Sequence, residues 1–126
     1  MARILVVEDD ASIRELIEFK LRRLGHEVHS EVDGEAGLAA AGELRPDLVL
    51  LDWMMPRLSG LEVCLELRAS EELARVPVIL LTAKAQEADV QRGFAAGADD
   101  YIVKPFSPRE LVSRVDAAIA RGAMSR

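Results

Sequence analysis

Four short apolar runs punctuate the chain: Ile4-Leu5-Val6-Val7, Leu48-Val49-Leu50-Leu51, Val78-Ile79-Leu80-Leu81 and Tyr101-Ile102-Val103. Each is too short for a buried helix, and most are rich in β-branched residues. They read as strands covered on both faces, which is the signature of a parallel sheet. A fifth segment, Glu27-Val28-His29-Ser30-Glu31-Val32, alternates polar and apolar residues and predicts a more exposed edge strand.

The segments between these runs have helical period. Ile13, Leu16, Ile17, Leu21 and Leu24 form one apolar stripe, and Leu111, Val115, Ala118 and Ile119 form another. Ser12 with Glu15, Ser59 with Glu62 and Ser107 with Glu110 predict capping boxes, and Pro108 is a favoured first-turn residue. Gly25 and Gly122 stand where the first and last helices should stop. The expected helices cover 12–24, 34–43, 59–70, 86–95 and 107–121. The fourth is the weakest, with Gly93, Gly97 and few large apolar residues. The small-residue stretch from Gly37 to Gly42 reads as close helix packing. Five β-α units in strict alternation, joined by right-handed crossovers, predict an α/β fold: an open, doubly wound parallel sheet with helices on both faces.

A chain of 126 residues suits one domain. Residues 1–122 are expected to form it, with 123–126 as a short tail where a linker to a further domain can begin. The formal net charge of −6 argues against direct binding of nucleic acid phosphates by this domain. A single cysteine, Cys64, permits no internal disulfide and suits a reducing, cytoplasmic setting. No apolar run approaches the roughly 20 residues needed to span a bilayer.

A polar chemical group follows every core run. The first ends in Glu8-Asp9-Asp10, the next in Asp52, the next in Thr82 and the last in Lys104-Pro105. In an open parallel sheet the carboxyl ends of the strands share one edge, where ligands bind. Glu8, Asp9 and Asp52 brought together would repel one another and raise their own pKa values. A hard divalent cation removes that conflict, and Mg²⁺ is the usual choice where carboxylates meet a phosphoryl group. Lys104 offers a positive charge and Thr82 a hydroxyl to phosphoryl oxygens, while Asp52 can attack phosphorus.

Four segments carry a specific resemblance: Leu5 to Asp10, Asp47 to Pro56, Leu81-Thr82-Ala83, and Gly97 to Phe106. Together, in order and at these spacings, they resemble the receiver domain of two-component response regulators over nearly the whole chain. The last segment, continued by Ser107 to Leu111, is most similar to the subfamily whose receivers drive winged-helix DNA-binding domains. The resemblance implies a flavodoxin-like strand order of 2-1-3-4-5 and Asp52 as phosphoacceptor. It implies Mg²⁺ held by Asp9, Asp52 and the backbone carbonyl of Met54, with Glu8 assisting through water. It also implies Lys104 on the phosphoryl group, a cis Lys104-Pro105 bond, and Thr82 and Tyr101 as a switch pair. The donor would be a phosphohistidine on a sensor histidine kinase. Phosphorylation would favour a homodimer through a face bearing Asp99, Asp100, Arg114 and Arg121. The subfamily match is incomplete there, because Val90 stands where a basic partner for Glu110 is expected and Gln91 where an apolar contact is expected.

Simpler readings compete with these. Asp10 fits a cap or solvent role as well as a metal role and is left outside the metal ligands, Trp53 reads as an aromatic packed at the pocket rim, and Cys64 as core. His26 and His29 differ by an odd number, so a strand would point them to opposite faces. An aspartyl-nucleophile phosphatase would want a second acid two residues after Asp52, where Met54 stands. A flavin-binding module would want a Ser/Thr/Gly-rich phosphate loop in place of Glu8-Asp9-Asp10. A switch whose state is set by a phosphoryl group on Asp52 remains the expectation.

Overall fold

The structure, a computed structural model, describes residues 1–83 and 86–125. Strands β1 (Arg3–Val7), β2 (Glu27–Glu31), β3 (Leu48–Asp52), β4 (Val78–Thr82) and β5 (Asp100–Val103) alternate with five helices. These are α1 (Ala11–Arg23), α2 (Gly34–Leu44), α3 (Gly60–Ala69), α4 (Glu87–Ala95) and α5 (Pro108–Ser125). The strands form one sheet in the order β2-β1-β3-β4-β5, and every pairing is parallel.

The apolar runs are buried on both faces, as continuous hydrophobicity requires. Alternate residues feed two separate cores. Leu5, Val7, Val49 and Leu51 meet Val63, Cys64 and Leu67 of α3 on one side. Ile4, Val6, Leu48 and Leu50 meet Ile17 and Leu21 of α1 and Leu111, Val115 and Ala118 of α5 on the other. The small residues of α2 permit close packing: a Cβ on Gly37 would lie 2.7 Å from the Val7 side chain.

Helix ends follow local chemistry, with two corrections. The Ser59–Glu62 capping box forms in both directions. At α1, however, the cap is Asp10 rather than Ser12, and its carboxylate accepts from Ile13 N at 3.1 Å. Asp10 already has extended backbone geometry, so the helix starts two residues before the serine could cap it. Gly25, at φ 91°, ends α1 as expected. Gly122 does not end α5, which runs on to Ser125. It is not among the positive-φ glycines and serves packing instead, since a Cβ there would lie 2.8 Å from Pro77 Cγ. The expected boundary between 122 and 123 therefore falls inside a helix, while Arg126 lies outside the described residues. The fourth helix is lightly anchored: only Gly93 is buried, and its N-cap Gln86 makes no side-chain hydrogen bond.

Candidate functional site

Parallel register brings the strand ends to one edge. Asp52 pairs with Leu81 and Thr82 with Val103, so the acid, the hydroxyl and the lysine after β5 emerge side by side. Glu8 follows β1, and its N–H donates to Glu31 O at 3.1 Å. Glu8 is fully buried, Asp52 is 4% exposed and Asp9 is open to solvent. One carboxylate oxygen from each of the three lies within 4.8 Å of the others.

Lys104 enters this cluster after a cis bond to Pro105, as the resemblance implied. Its ammonium donates to Asp52 Oδ1 at 3.0 Å and lies 2.8 Å from Glu8 Oε1. Glu8 Oε2 accepts from Asp10 N at 3.1 Å, whereas Oε1 makes no well-aligned hydrogen bond. The short distance to Lys104 makes that contact one of charge rather than direction. Burial, then the neighbouring Glu8, push Asp52 up to about 7, and Lys104 opposes them. Burial also works against the Lys104 ammonium, but Glu8 and Asp52 outweigh it and hold its pKa above the ordinary lysine value.

The donor set suits a small, hard dication. Octahedral Mg²⁺ with bonds of about 2.1 Å holds oxygens up to about 4.2 Å apart, so small side-chain rotations close the present spacing. The buried, poorly satisfied Glu8 Oε1 is the kind of atom that a hydrated cation would complete. Met54 is the second residue of the loop leaving β3, with its side chain exposed.

Thr82 is 2% exposed at the end of β4. With Tyr101 it lines a small cavity beneath α4, whose other walls include Trp53, Leu80, Gly93 and Phe94. Tyr101 is half-buried and meets the Phe94 ring edge-on, with centroids 5.8 Å apart. Trp53 is not at the rim. It is buried beneath α4, with the Arg92 guanidinium carbon 5.8 Å from its ring centroid. An aromatic directly after a strand-end acid gives no sequence signal for this placement, because the α4 backbone that covers it is distant in sequence.

The face bearing Asp99, Asp100, Arg114 and Arg121 has its charges engaged within the chain. Asp100 Oδ1 accepts from Arg114 at 2.8 Å, and Glu110 lies 3.7 Å from the same guanidinium. Asp99 Oδ2 accepts from Arg68 at 2.9 Å and from Val78 N at 2.8 Å. Arg121 also has interactions of its own. Sequence reasoning did not single out Arg68, since two of its acceptors, Gly97 and Asp99, lie about 30 residues away and the other two are backbone carbonyls with no side-chain signal.

The model of the response regulator receiver domain family matches residues 4–116. The DNA-binding response regulator MtrA of Mycobacterium tuberculosis H37Rv is 51% identical over 119 residues, covering 94% of this chain and 51% of that protein. The phosphate regulon transcriptional regulatory protein PhoB of Rhizobium meliloti is 44% identical over 121 residues, covering 96% and 53%. The chain thus spans about half the length of the curated relatives it matches. Among solved structures, chemotaxis response regulator CheY4 of Vibrio cholerae superposes with a TM-score of 0.90 at 33% identity, covering 94% of this chain and 98% of that one. The receiver domain of sensor histidine kinase PA1611 from Pseudomonas aeruginosa PAO1, which has a magnesium ion in its active-site cleft, gives a TM-score of 0.87 at 38% identity. It covers the same shares of the two chains. With strand order, acid cluster and sequence all in agreement, the chain belongs to the response regulator receiver domain family.

Proposed function

We propose that Asp52 accepts a phosphoryl group in a Mg²⁺-dependent reaction and that the resulting aspartyl phosphate switches the domain between two output states. The observation that carries this is the Asp52 carboxylate, 4% exposed at the end of β3, with Lys104 bonded to one of its oxygens at 3.0 Å. The other oxygen is the nucleophile. It attacks the phosphorus of a phosphohistidine on a sensor histidine kinase, or of a small acyl phosphate. The new O–P bond forms as the bond to the leaving group breaks, and the leaving group departs with the electron pair.

Asp9, Asp52 and the Met54 backbone carbonyl would hold Mg²⁺, with Glu8 assisting through water, and the ion would neutralise the negative charges that otherwise repel the donor. Lys104 shifts from the carboxylate to a phosphoryl oxygen, and the Thr82 hydroxyl donates to another. Tyr101, which shares a cavity with Thr82, follows that movement and alters the surface of α4 and β5. The domain thus assists both its own phosphotransfer and its own dephosphorylation while acting as a switch.

The wider reading rests on the relatives. The output is control of transcription through an attached or partner DNA-binding domain, in the cytoplasm, with the receiver carried through α5 to at least Ser125. Phosphorylation favours a homodimer through the face of Asp99, Asp100, Arg114 and Arg121. A formal net charge of −6 does not favour direct nucleic acid contact by the receiver itself. Among the described residues no helix is long and apolar enough to cross a membrane.

Incubation with a small acyl phosphate and Mg²⁺ should yield one phosphoryl adduct per chain, labile to base and to hydroxylamine. Chelation of Mg²⁺ should suppress it. Stable labelling of Asp52→Asn at wild-type levels would overturn the assignment.

A further inference from the structure

The loop from Trp53 to Ser59 leaves the phosphoacceptor strand and is held at three points. Gly60 N donates to Trp53 O at 2.9 Å, closing the loop on itself. Leu58 rests against the first residue of α2, where a Cβ on Gly34 would collide with the Leu58 carbonyl oxygen. Arg57 reaches to the same helix end, 3.8 Å from Asp33 Oδ2 and 3.6 Å from Glu35 Oε2. Asp33 is itself fixed, because its other oxygen accepts from Ala36 N at 2.8 Å as the cap of α2.

The backbone of Arg57 makes this arrangement informative. Its φ is 72°, a left-handed conformation that glycine adopts freely and arginine does not. Among the described residues the other non-glycine of this kind is Arg45, which caps α2 at φ 48°. Arg57 terminates no helix. Its unfavourable backbone is kept together with a side chain that bridges two elements, and such outliers gather where geometry is functional.

We propose that Arg57 is a positioning residue: by latching the β3–α3 loop to the N-terminus of α2 it holds the Met54 carbonyl for Mg²⁺, and so sets the metal affinity of the acidic pocket. The inference rests on the reading of Asp9, Asp52 and Met54 as the Mg²⁺ ligands. The latch has a firm base. The strand before α2 ends at Glu31, whose carbonyl accepts from Glu8 N at 3.1 Å, so the chain leading into α2 is tied to the backbone of the acid cluster.

A latch and a through-space charge effect differ in sign. If Arg57 acted only as a positive charge near the pocket, its removal would tighten Mg²⁺ binding, whereas removal of Asp33 and Glu35 charge would weaken it. A latch is broken from either side, so both changes weaken binding. The test uses the full chain, with Mg²⁺ alone as the probe and Trp53 emission and calorimetry as readouts. Arg57→Gly and the pair Asp33→Asn/Glu35→Gln should each lower Mg²⁺ affinity about two- to five-fold at low salt, the range expected of exposed ion pairs. Combining them should add little, Arg57→Lys should recover most of the loss, and high salt should shrink the difference. The Tm of metal-free Arg57→Gly should equal or exceed that of wild type, because glycine takes the loop conformation without strain. Unchanged or tighter Mg²⁺ binding by Arg57→Gly would overturn the latch, as would a Tm that falls in step with affinity. If wild type itself binds no Mg²⁺, the ligand reading falls and the latch falls with it.

Discussion

The Lys104 ammonium bonds Asp52 Oδ1 at 3.0 Å across 52 positions of sequence, joining the ends of β3 and β5 inside a pocket that also buries Glu8. One cation thus faces two buried carboxylates and lies 17% exposed. A single positive charge cannot satisfy both acids. The pocket is therefore short of positive charge without metal, and the excess falls on Asp52, whose pKa rises to about 7. The most buried part of the site is also the part most in need of a cation.

Metal-free stability should carry this signature. The folded-state pKa of Asp52 stands above its ordinary value of 3.8, so between about pH 4 and about pH 7 the folded chain holds a proton that the unfolded chain has lost. The Asp52 contribution is full below the ordinary carboxylate range and is lost as pH rises through that window. Asp52→Asn should be more stable than metal-free wild type near pH 8, and the advantage should vanish near pH 4. Over the same window protons compete with Mg²⁺, so wild-type metal affinity should fall up to about tenfold per pH unit below 7. Thermal melts of both proteins across pH decide the point. Parallel curves would mean that Asp52 titrates normally.

Lys104→Ala should destabilise the metal-free chain by on the order of 3 kcal/mol, less what protonation of Asp52 recovers, because buried acids lose their counter-ion. It should also weaken the coupling between phosphorylation and shape change more than it weakens Mg²⁺ binding, since Lys104 would meet the phosphoryl group rather than the ion. Mg²⁺ titrations followed through Trp53 emission test this. A large loss of metal affinity in the variant would show that the lysine's role is different.

Much of the fold and site was legible because the signals were local. Runs such as Leu48 to Leu51 declare a doubly buried strand through composition alone, and the residue after each run falls on the ligand edge because parallel strands share a direction. Asp9, Asp52, Thr82 and Lys104 were singled out in this way, and the fold carries all four to that edge. Trp53 was misplaced because its burial depends on α4, which is distant in sequence and packs closely through Gly93, where a Cβ would lie 3.0 Å from Leu80 Cδ1 and 3.6 Å from the indole. The α1 cap went to Asp10 because two candidates lay within three residues, and backbone entry geometry chose between them. Gly122 looked like a stop signal, but the same lack of a side chain also permits contact with Pro77. Pattern reading cannot separate those two uses of glycine.

Arg68 offers a test far from the pocket. Its guanidinium donates to the carbonyls of Gly97 at 2.9 Å, Ala74 at 3.2 Å and Val76 at 2.7 Å, and to Asp99 at 2.9 Å. It thereby joins α3, the entry to β4 and the turn before β5. Arg68→Ala should cost about 3 kcal/mol, because several partly buried acceptors lose their donor together. Arg68→Lys should recover little, as one ammonium cannot span that fork. Denaturant midpoints should fall while Mg²⁺ affinity stays near wild type, since these contacts cluster at the strand starts. A matching loss of Mg²⁺ affinity would refute the separation.

Self-association of the phosphorylated chain should be weak and salt-sensitive. Asp100 and Arg114 pair within one chain at 2.8 Å, and Glu110 lies 3.7 Å from the same guanidinium. A partner that engages these groups must share them or displace them, and exposed pairs of this kind contribute only about 0.2–1 kcal/mol each. Asp99 is similarly committed to Arg68 and Val78 N through one oxygen, which leaves Oδ1 outside those two bonds. On the proposed reading, the interface would gain from charge mainly where phosphorylation alters the α4–β5 surface around Tyr101, so dimer and switch state should rise together. Arg114→Glu should lower association of the phosphorylated form about five- to tenfold without slowing phosphorylation, since Arg114 lies on the second turn of α5, away from the acid cluster. Arg114→Ala should lie between that variant and wild type. Sedimentation of all three with and without a phosphodonor, at low and high salt, reads the effect directly. If fully phosphorylated wild type stays monomeric at high concentration, the face does not self-associate and the output must pass to a different partner.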